Sequence, residues 1–269
     1  MPFLTANGIR TRYEIEGEGP PLLLIAGNGM DSTCFKDQVP EFSRHFRCIS
    51  YDLRGIGESD LTPANYGVRD MAEDALALLA GLGIARAHLA GYSLGGCIGQ
   101  EMALAAPERV ASLSLYSSLD RMQPYLRRRY EILIKILLET TPELWAMYSA
   151  FTAFGEEYIN SHDAEIEDEV RTRAARWHGK NAPAKEGLLG HYRALMGHDA
   201  TGRLHAIRCP TWIAVGTSDT VTPPSYSKRL QALIQGSELR VFDGGPHRLL
   251  NFSTREFNQS ALGFLLRHR

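Results

Sequence analysis

Residues 88–96 read His-Leu-Ala-Gly-Tyr-Ser-Leu-Gly-Gly, and this stretch decides the fold class. An apolar run ends abruptly in the pattern Gly-x-Ser-x-Gly, and small and apolar residues follow over residues 97–105. This order predicts a strand, a sharp turn and a helix, with Ser93 at the apex of the turn. Glycine suits positions 91 and 95, because so sharp a turn brings backbone segments too close together for a Cβ atom. The stretch therefore presents Ser93 as a nucleophile, the alternative being an ordinary loop serine that caps a helix.

The composition is that of an ordinary globular protein. The chain has 269 residues, of which 44% are hydrophobic and 22% are charged, and its formal net charge is −2. Such a charge provides no basic field for nucleic acid and no polybasic anchor for a membrane surface. The longest apolar runs, such as residues 22–26, are too short to cross a bilayer. The composition predicts neither a nucleic acid nor a membrane as a partner.

The beginning of the chain and its cysteines support further expectations. Residues 1–5, Met-Pro-Phe-Leu-Thr, lack the charged and then apolar pattern of a signal peptide, so the cytoplasm is the default location. The four cysteines have no metal-ligand spacing, so we expect no metal site and no disulfide framework. The sequence leaves open whether the protein forms a homodimer.

Strands and helices alternate in the first and last parts of the chain. Predicted strands cover residues 11–15, 22–26, 47–51, 88–92, 110–116, 210–215 and 239–242. The first of them alternates like a strand at the edge of the sheet. Predicted helices cover residues 35–46, 70–82, the segment from 94 to about 106, 225–234 and 254–267. This alternation predicts an α/β fold with a mostly parallel sheet that helices cover on both faces.

The pattern changes between residues 117 and 205. That segment is helical, charged and aromatic, and it contains no convincing strand. We therefore predict an α/β core formed by residues 1–116 and 206–269, with a helical cap inserted at residues 117–205. This arrangement fits the pattern better than two domains in tandem.

A base and an acid for Ser93 are found in two late loops. A serine hydroxyl is a weak nucleophile at neutral pH and needs a base, which a carboxylate in turn orients. Asp219 follows the strand 210–215, and His247 follows the strand 239–242 in a Gly-Gly-Pro-His loop. The carboxyl ends of strands are where the sites of open parallel sheets assemble. We predict Ser93, His247 and Asp219 as nucleophile, base and acid, with Asp243 and Asp120 as alternative acids.

The developing negative charge on a carbonyl under attack needs two hydrogen-bond donors. One is expected to be the backbone N–H of Leu94, directly after the nucleophile. The other is expected from the loop 27–30, Gly-Asn-Gly-Met, most plausibly the N–H of Asn28. The glycines of this loop also fit a plain turn.

Taken together, these motifs resemble the α/β-hydrolase superfamily, which has the same chain order of nucleophile, acid and base. Within it, the sequence is most similar to 3-oxoadipate enol-lactonases and aminoacrylate-processing hydrolases. The stretches that carry the resemblance are residues 22–29, 51–59, 91–96, 207–211, 216–224 and 245–247, together with Trp177-His178-Gly179-Lys180-Asn181 in the insertion.

The resemblance implies a cofactor-free serine hydrolase that cleaves a small carboxylic ester or lactone through an acyl-enzyme. Alternatives with the same residues are C–C bond hydrolysis of a diketone, amide or carbamate hydrolysis, and a slowly hydrolysing small-molecule receptor. The sequence departs from many relatives at Ala26, where they have histidine, which matters little because the donors there are backbone amides. Serine at 93 is unlike haloalkane dehalogenases and epoxide hydrolases, whose nucleophile is a carboxylate.

The insertion is expected to cover the nucleophile and to shape an apolar pocket. We predict Met30, Trp145, Tyr148 and Phe151 as pocket residues, because helical spacing places the aromatic members near one face. Packing of the cap against the core explains any one of these residues equally well. The run Arg127-Arg128-Arg129 fits a carboxylate-binding cluster, but a solvated helix face is the better prediction.

Overall fold

Eight strands form one sheet in a computed structural model that describes residues 2–177, 185–252 and 254–269. Along the sheet the order is β1-β2-β4-β3-β5-β6-β7-β8. β2 is antiparallel to both of its neighbours, and all other pairs are parallel. The strands are β1 (Phe3–Ala6), β2 (Ile9–Glu16), β3 (Pro21–Ile25), β4 (Arg47–Tyr51), β5 (Ala87–Tyr92), β6 (Val110–Tyr116), β7 (Thr211–Gly216) and β8 (Glu238–Phe242).

Helices connect the strands and cover the sheet. They are α1 (Val39–Phe42), α2 (Val68–Gly81), α3 (Leu94–Ala105), α4 (Pro124–Glu139), α5 (Pro142–Ser161), α6 (Asp163–Arg176), α7 (Lys185–Met196), α8 (Pro224–Leu233), α9 (Leu249–Phe252) and α10 (Thr254–Arg267). Among the described residues, no helix is long and apolar enough to cross a membrane.

The central strand β3 shows why its sequence is continuously apolar. Leu23 and Ile25 belong to a core that includes residues of α2 and α3, whereas Leu22 and Leu24 pack in a second core with the aromatic residues of α10. Alternate side chains thus enter opposite layers, and both layers exclude water. The predicted α/β architecture, with a mostly parallel sheet between helices, is confirmed.

Two local predictions are wrong. The segment 35–46 was expected to be one helix, but only Val39–Phe42 is α-helical there, after a 3₁₀ turn at Ser32–Phe35. Pro40 accounts for the separation from the 3₁₀ turn, because proline has no N–H to continue a helix and is accommodated only in the first turn of a new one. The strand that includes residues 11–15 is also not at the edge of the sheet, since β1 pairs along its outer side.

Helices α4 to α7 lie between β6 and β7, inside the segment predicted as an insertion. The two ends of this segment meet at an isolated antiparallel bridge between Arg121 and Asp199. The N–H of Met122 donates to the carbonyl of His198, and the N–H of Ala200 donates to the carbonyl of Asp120. The segment therefore leaves and rejoins the sheet at one place. Of the stretch 177–181 that contributed to the resemblance, only Trp177 is among the described residues.

Candidate active site

Ser93 lies at a sharp turn between β5 and α3. Its backbone has φ 53° and ψ −113°, a left-handed conformation that a residue with a side chain adopts only under strain. A Cβ atom on Gly91 would overlap the carbonyl of Gly95, and one on Gly95 would overlap the carbonyl of Ile25. The expectation that both positions need glycine is therefore confirmed. The strained turn is also tied to the sheet, because the N–H of Ser93 donates to the carbonyl of Tyr116 at 2.8 Å.

Ser93, His247 and Asp219 form a continuous hydrogen-bonded chain. The Oγ of Ser93 lies 3.2 Å from Nε2 of His247, and Nδ1 of the same ring lies 2.9 Å and 3.0 Å from the two carboxylate oxygens of Asp219. All three residues are buried. The structure thus brings together the three side chains that the sequence predicted, from three separate loops at the carboxyl edge of the sheet.

The Asp219 carboxylate is held by its own loop. Its Oδ1 accepts hydrogen bonds from the N–H groups of Val221 and Thr222, at 2.9 Å and 2.8 Å. The hydroxyl of Thr222 lies 3.0 Å from Oδ2 and also donates to the carbonyl of Ser117 at 2.9 Å. The two backbone N–H groups fix the orientation of the carboxylate towards the imidazole.

The two alternative acids are bound elsewhere. Asp120 is fully buried and pairs with Arg229 at 2.7 Å, and it also accepts from the hydroxyl of Thr201 at 2.9 Å. Asp243 is exposed and accepts from the hydroxyl of Thr217 at 3.3 Å. Neither carboxylate makes a hydrogen bond to His247, so the geometry favours Asp219 as its partner.

The expected oxyanion donors lie on both sides of the nucleophile. Leu94 is the first residue of α3, and the loop with Asn28 packs against Tyr92, whose ring a Cβ on Gly27 would approach to 2.7 Å. Within residues 2–177, 185–252 and 254–269, neither the Leu94 N–H nor the Asn28 N–H donates to a protein atom. Two backbone N–H groups without a protein acceptor, beside a serine, are what an oxyanion site requires.

A cavity of about 240 Å³ opens above Ser93, between the loop 27–30 and the helices α4 to α7. This volume lies just below the range of about 300 to 1,000 Å³ that is typical of small-molecule sites, so the cavity fits a compact substrate. Its aromatic wall is formed by Tyr130, Trp145 and Tyr192, and the indole N–H of Trp145 donates to the hydroxyl of Tyr192 at 2.9 Å. Burial raises the pKa of the Tyr130 hydroxyl to about 12, so it stays protonated at neutral pH.

The predicted pocket residues divide into two pairs. Met30 and Trp145 line the cavity, whereas Tyr148 and Phe151 do not. Phe151 is 68% exposed, and Tyr148 packs on the helical layer with the guanidinium of Arg129 6.0 Å from its ring centroid. The prediction for Tyr148 and Phe151 is corrected because the stripe of α5 that faces the cavity is Trp145, Ser149 and Thr152. Residues at i, i+4 and i+7 share a face, and Phe151 is rotated from that face towards solvent.

The cavity also contains basic residues that the sequence did not single out. Arg248, directly after His247, lines it with Arg173 of α6, and Arg129 of α4 joins them. Of the predicted arginine run, Arg127 and Arg128 are exposed, as a solvated helix face requires, whereas for Arg129 that prediction is wrong, because it is half-buried and lines the cavity. No local pattern marked Arg173 or Arg248, because they come from distant parts of the chain and meet only in the fold.

Arg173 and Arg248 differ in their partners. Arg173 pairs with Glu169 at 2.7 Å, and its pKa is lowered by burial and then by the charge of Arg248. Arg248 donates to the side-chain oxygen of Asn251 at 3.0 Å, and in the described part of the chain no carboxylate lies within ion-pair distance of it. Among the described residues, the guanidinium of Arg248 therefore has no carboxylate counter-charge, and it lies next to the base in the chain.

Comparison with known proteins identifies the family of this chain. The alpha/beta hydrolase fold family model matches residues 20–251. A protein of Azorhizobium caulinodans named RutD, provisionally a carbamate hydrolase, is 31% identical over 98% of both chains. A thermophilic esterase of Thermogutta terrifontis, solved with malate bound, has a TM-score of 0.86 and 26% identity over 99% of this chain and 98% of that one. The enol-lactonase of Burkholderia xenovorans LB400 has a TM-score of 0.87 and 24% identity over 98% of this chain and all of its own, and so shares the fold.

The family match covers most of the chain, and the RutD relative matches it almost from end to end. The resemblance predicted from the motifs is thereby confirmed. The chain belongs to the alpha/beta hydrolase family and is a hydrolase.

Proposed function

We propose that this hydrolase cleaves a small carboxylic ester or lactone by a serine mechanism. The observation that carries the proposal is the chain of hydrogen bonds from Ser93 Oγ through His247 to Asp219. His247 takes the hydroxyl proton as Ser93 attacks the carbonyl carbon, and the N–H groups of Leu94 and Asn28 stabilise the oxyanion. Collapse breaks the bond to the leaving oxygen, which receives the proton from His247. Water, deprotonated by His247, then hydrolyses the acyl-enzyme and restores the free serine.

The charges of the cavity favour a substrate that carries its own carboxylate. Among its described lining residues are four basic side chains against two carboxylates, namely Lys36, Arg129, Arg173 and Arg248 against Asp31 and Glu169. An anion beside Arg248 would supply the missing counter-charge, and hydrogen bonds to charged groups contribute about 1.5–3 kcal/mol each. The malate-bound state of the Thermogutta terrifontis esterase supports this choice, because malate is a dicarboxylate.

Carbamate hydrolysis is the second candidate. The provisional name of the RutD relative favours it, and that relative is 31% identical to this chain. The same serine and histidine would attack the carbamate carbonyl and protonate the leaving nitrogen. The fold alone does not choose between ester and carbamate, since one fold supports many reactions.

The experiment that tests the proposal compares purified wild-type protein with Ser93→Ala on matched substrates. The panel is a half-ester and a lactone that each carry a carboxylate, their neutral counterparts, a carbamate and a ring-cleavage diketone. We expect the carboxylate-bearing ester or lactone to have the highest kcat/KM, and Ser93→Ala to lower kcat by about 10⁴-fold or more. Ser161→Ala, at an exposed position on α5, is the matched control and should keep wild-type rates. Preference for the carbamate or the diketone would overturn the ester proposal, and turnover that survives in Ser93→Ala would overturn the serine mechanism.

A further inference from the structure

His191 of α7 is a fully buried histidine that contacts the loop carrying the expected oxyanion donor. Its Nδ1 lies 3.3 Å from the backbone nitrogen of Gly29, and its Nε2 lies 2.9 Å from the carbonyl oxygen of Arg54. A backbone N–H can only donate, so Nδ1 accepts and the proton is on Nε2, which donates to Arg54. The two bonds fix both the tautomer and the plane of the ring.

The neutral form of His191 matches this assignment. Burial lowers its pKa to about 4, so Nδ1 keeps its lone pair at neutral pH. The ring is further packed edge-on against Tyr66, at 6.4 Å between centroids. His191 is therefore held as an acceptor aimed at the N–H of Gly29.

The bond to Gly29 determines the shape of the loop 27–30. The N–H of Met30 donates to the carbonyl of Gly27 at 3.1 Å, which closes a four-residue turn. Gly29 has φ +68°, whereas φ of Asn28 is not positive, and this combination is that of a type II turn. A type I turn would rotate the peptide between Asn28 and Gly29. The acceptor on His191 holds the N–H of that peptide in the type II orientation, next to the peptide that presents the Asn28 N–H.

The loop that contains Arg54, on the other side of His191, is held in place by further contacts. The guanidinium of Arg54 binds both carboxylate oxygens of Asp74, at 2.6 Å and 2.7 Å. A Cβ on Gly187, one turn before His191, would overlap the carbonyl of Gly55, so α7 lies directly on this loop. The hydrogen bond to the carbonyl of Arg54 therefore anchors the His191 ring, and the anchored ring positions Gly29.

We infer that His191 is a positioning residue for the oxyanion site: its Nδ1 fixes the 27–30 turn so that the Asn28 N–H points at the oxyanion. This inference rests on the proposed serine mechanism, because the oxyanion is part of it. His191 touches neither the substrate nor the reacting atoms, and acts through Gly29. The helix α7 also supplies Tyr192 to the cavity wall, so one helix covers the substrate and shapes the donor loop.

Two variants that each keep one of the two bonds test the inference. In His191→Asn the side-chain amide takes the place of Nδ1 and can accept from Gly29, but it does not reach Arg54. In His191→Gln the amide reaches Arg54 as a donor and leaves the Gly29 N–H without its acceptor. We expect kcat to fall about 10- to 100-fold in His191→Gln, less than the about 10²- to 10³-fold cost of removing an oxyanion donor outright. His191→Asn should stay within about three-fold of wild type.

The binding of two inhibitors separates positioning from general damage. A trifluoromethyl ketone that forms an oxyanion adduct with the serine should bind His191→Gln about 10- to 100-fold more weakly. KM, and the affinity for the matching methyl ketone, should stay within about two-fold. Equal losses in kcat, KM and both affinities, or equal kcat in the two variants, would overturn the inference.

Two controls keep the test decisive. If wild-type protein forms no trifluoromethyl ketone adduct at Ser93, the proposed serine mechanism itself is wrong, and the role of His191 falls with it. If neither variant folds, the ¹⁵N NMR spectrum of histidine in the wild-type protein decides. A neutral His191 with the proton on Nε2 and a hydrogen-bonded Nδ1 supports the inference, whereas a proton on Nδ1 at pH 7 overturns it.

Discussion

Asp219 orients the imidazole of His247, since its carboxylate lies 2.9 Å from Nδ1 of the ring. The carboxylate is itself buried and accepts hydrogen bonds from two backbone N–H groups. With the proton held on Nδ1, the opposite nitrogen faces the Ser93 hydroxyl as an acceptor at 3.2 Å. The pair therefore sets the tautomer that a base for Ser93 requires.

Substitution of Asp219 should show that catalysis depends on this tautomer of His247. Asp219→Asn keeps the size of the side chain but can donate to Nδ1 and so favours the wrong tautomer. We expect kcat to fall by about 10⁴-fold with little change in folding. The matched control is Asp243→Asn, the alternative acid from the sequence, which should stay within about two-fold. Comparable losses in the two variants would show that Asp219 has no special role.

Because Arg248 has no carboxylate partner among the described residues, its substitution should affect charged and neutral substrates differently. Arg248→Gln should lower kcat/KM about 10- to 100-fold for an ester that carries a carboxylate, because a charge-assisted hydrogen bond is lost. For the neutral ester of the same length the change should be less than about three-fold. Arg128→Gln on the exposed face of α4 is the control, since Arg128 pairs only locally with Glu131 among the described residues. An equal loss on both esters would contradict an anion site at Arg248.

The turn at Ser93 predicts a stability effect at Gly95. An alanine Cβ there would overlap the carbonyl of Ile25, so the end of β3 and the start of α3 would have to separate. We expect Gly95→Ala to lower the free energy of unfolding by about 3 kcal/mol or more, at the upper end of overpacking costs. Gly202→Ala, with open space around its Cβ, should change it by less than about 0.5 kcal/mol. Urea denaturation of both variants measures the difference, and similar midpoints would refute the close approach.

Buried histidines predict how stability depends on pH. Burial lowers the pKa values of His88, His191 and His198 to about 4, from an ordinary value of 6.5. Between these two values the unfolded chain binds protons that the native chain does not, so stability falls as the pH drops from about 6.5 to 4. Each proton adds up to about 1.4 kcal/mol per pH unit to this slope.

Urea midpoints between pH 7 and pH 4.5 measure that slope. His88→Gln should make it shallower, because it removes one buried group that the unfolded chain protonates. The exposed His205→Gln is the matched control and should keep the wild-type slope. A His88→Gln slope as steep as that of wild type would mean that this histidine is not held neutral.

The sheet could be predicted because its central strands are buried on both faces. Side chains of β3 enter the apolar cores on both faces, and the strand therefore reads as an unbroken apolar run. β5 is also buried throughout, and only His88 interrupts its run of apolar and small residues. β1, at the edge, has four residues that are only partly buried or exposed, and no run marks it. The expected helix at 35–46 failed because its apolar spacing is helical while Pro40 restricts the backbone.

Local motifs could predict the candidate site only where they coincide with strand ends. Ser93, Asp219 and His247 each follow an apolar strand, and a parallel sheet brings such ends together. Helical periodicity, by contrast, shows which residues of α5 share a face and not which face turns to the cavity, so Phe151 was misplaced. His191 has no local signal, since its partners Gly29 and Arg54 lie far away in the chain. Arg248 has none either, because it meets Arg129 and Arg173 only in the folded cavity.

Labelling with a fluorophosphonate, followed by peptide mass spectrometry to locate the modified residue, tests the proposed serine nucleophile most directly. We expect a single label on the Oγ of Ser93, lost in His247→Ala and retained in the exposed-site variant His205→Gln. Labelling at another residue, or no labelling of folded protein that hydrolyses its substrate, would contradict a serine nucleophile at position 93.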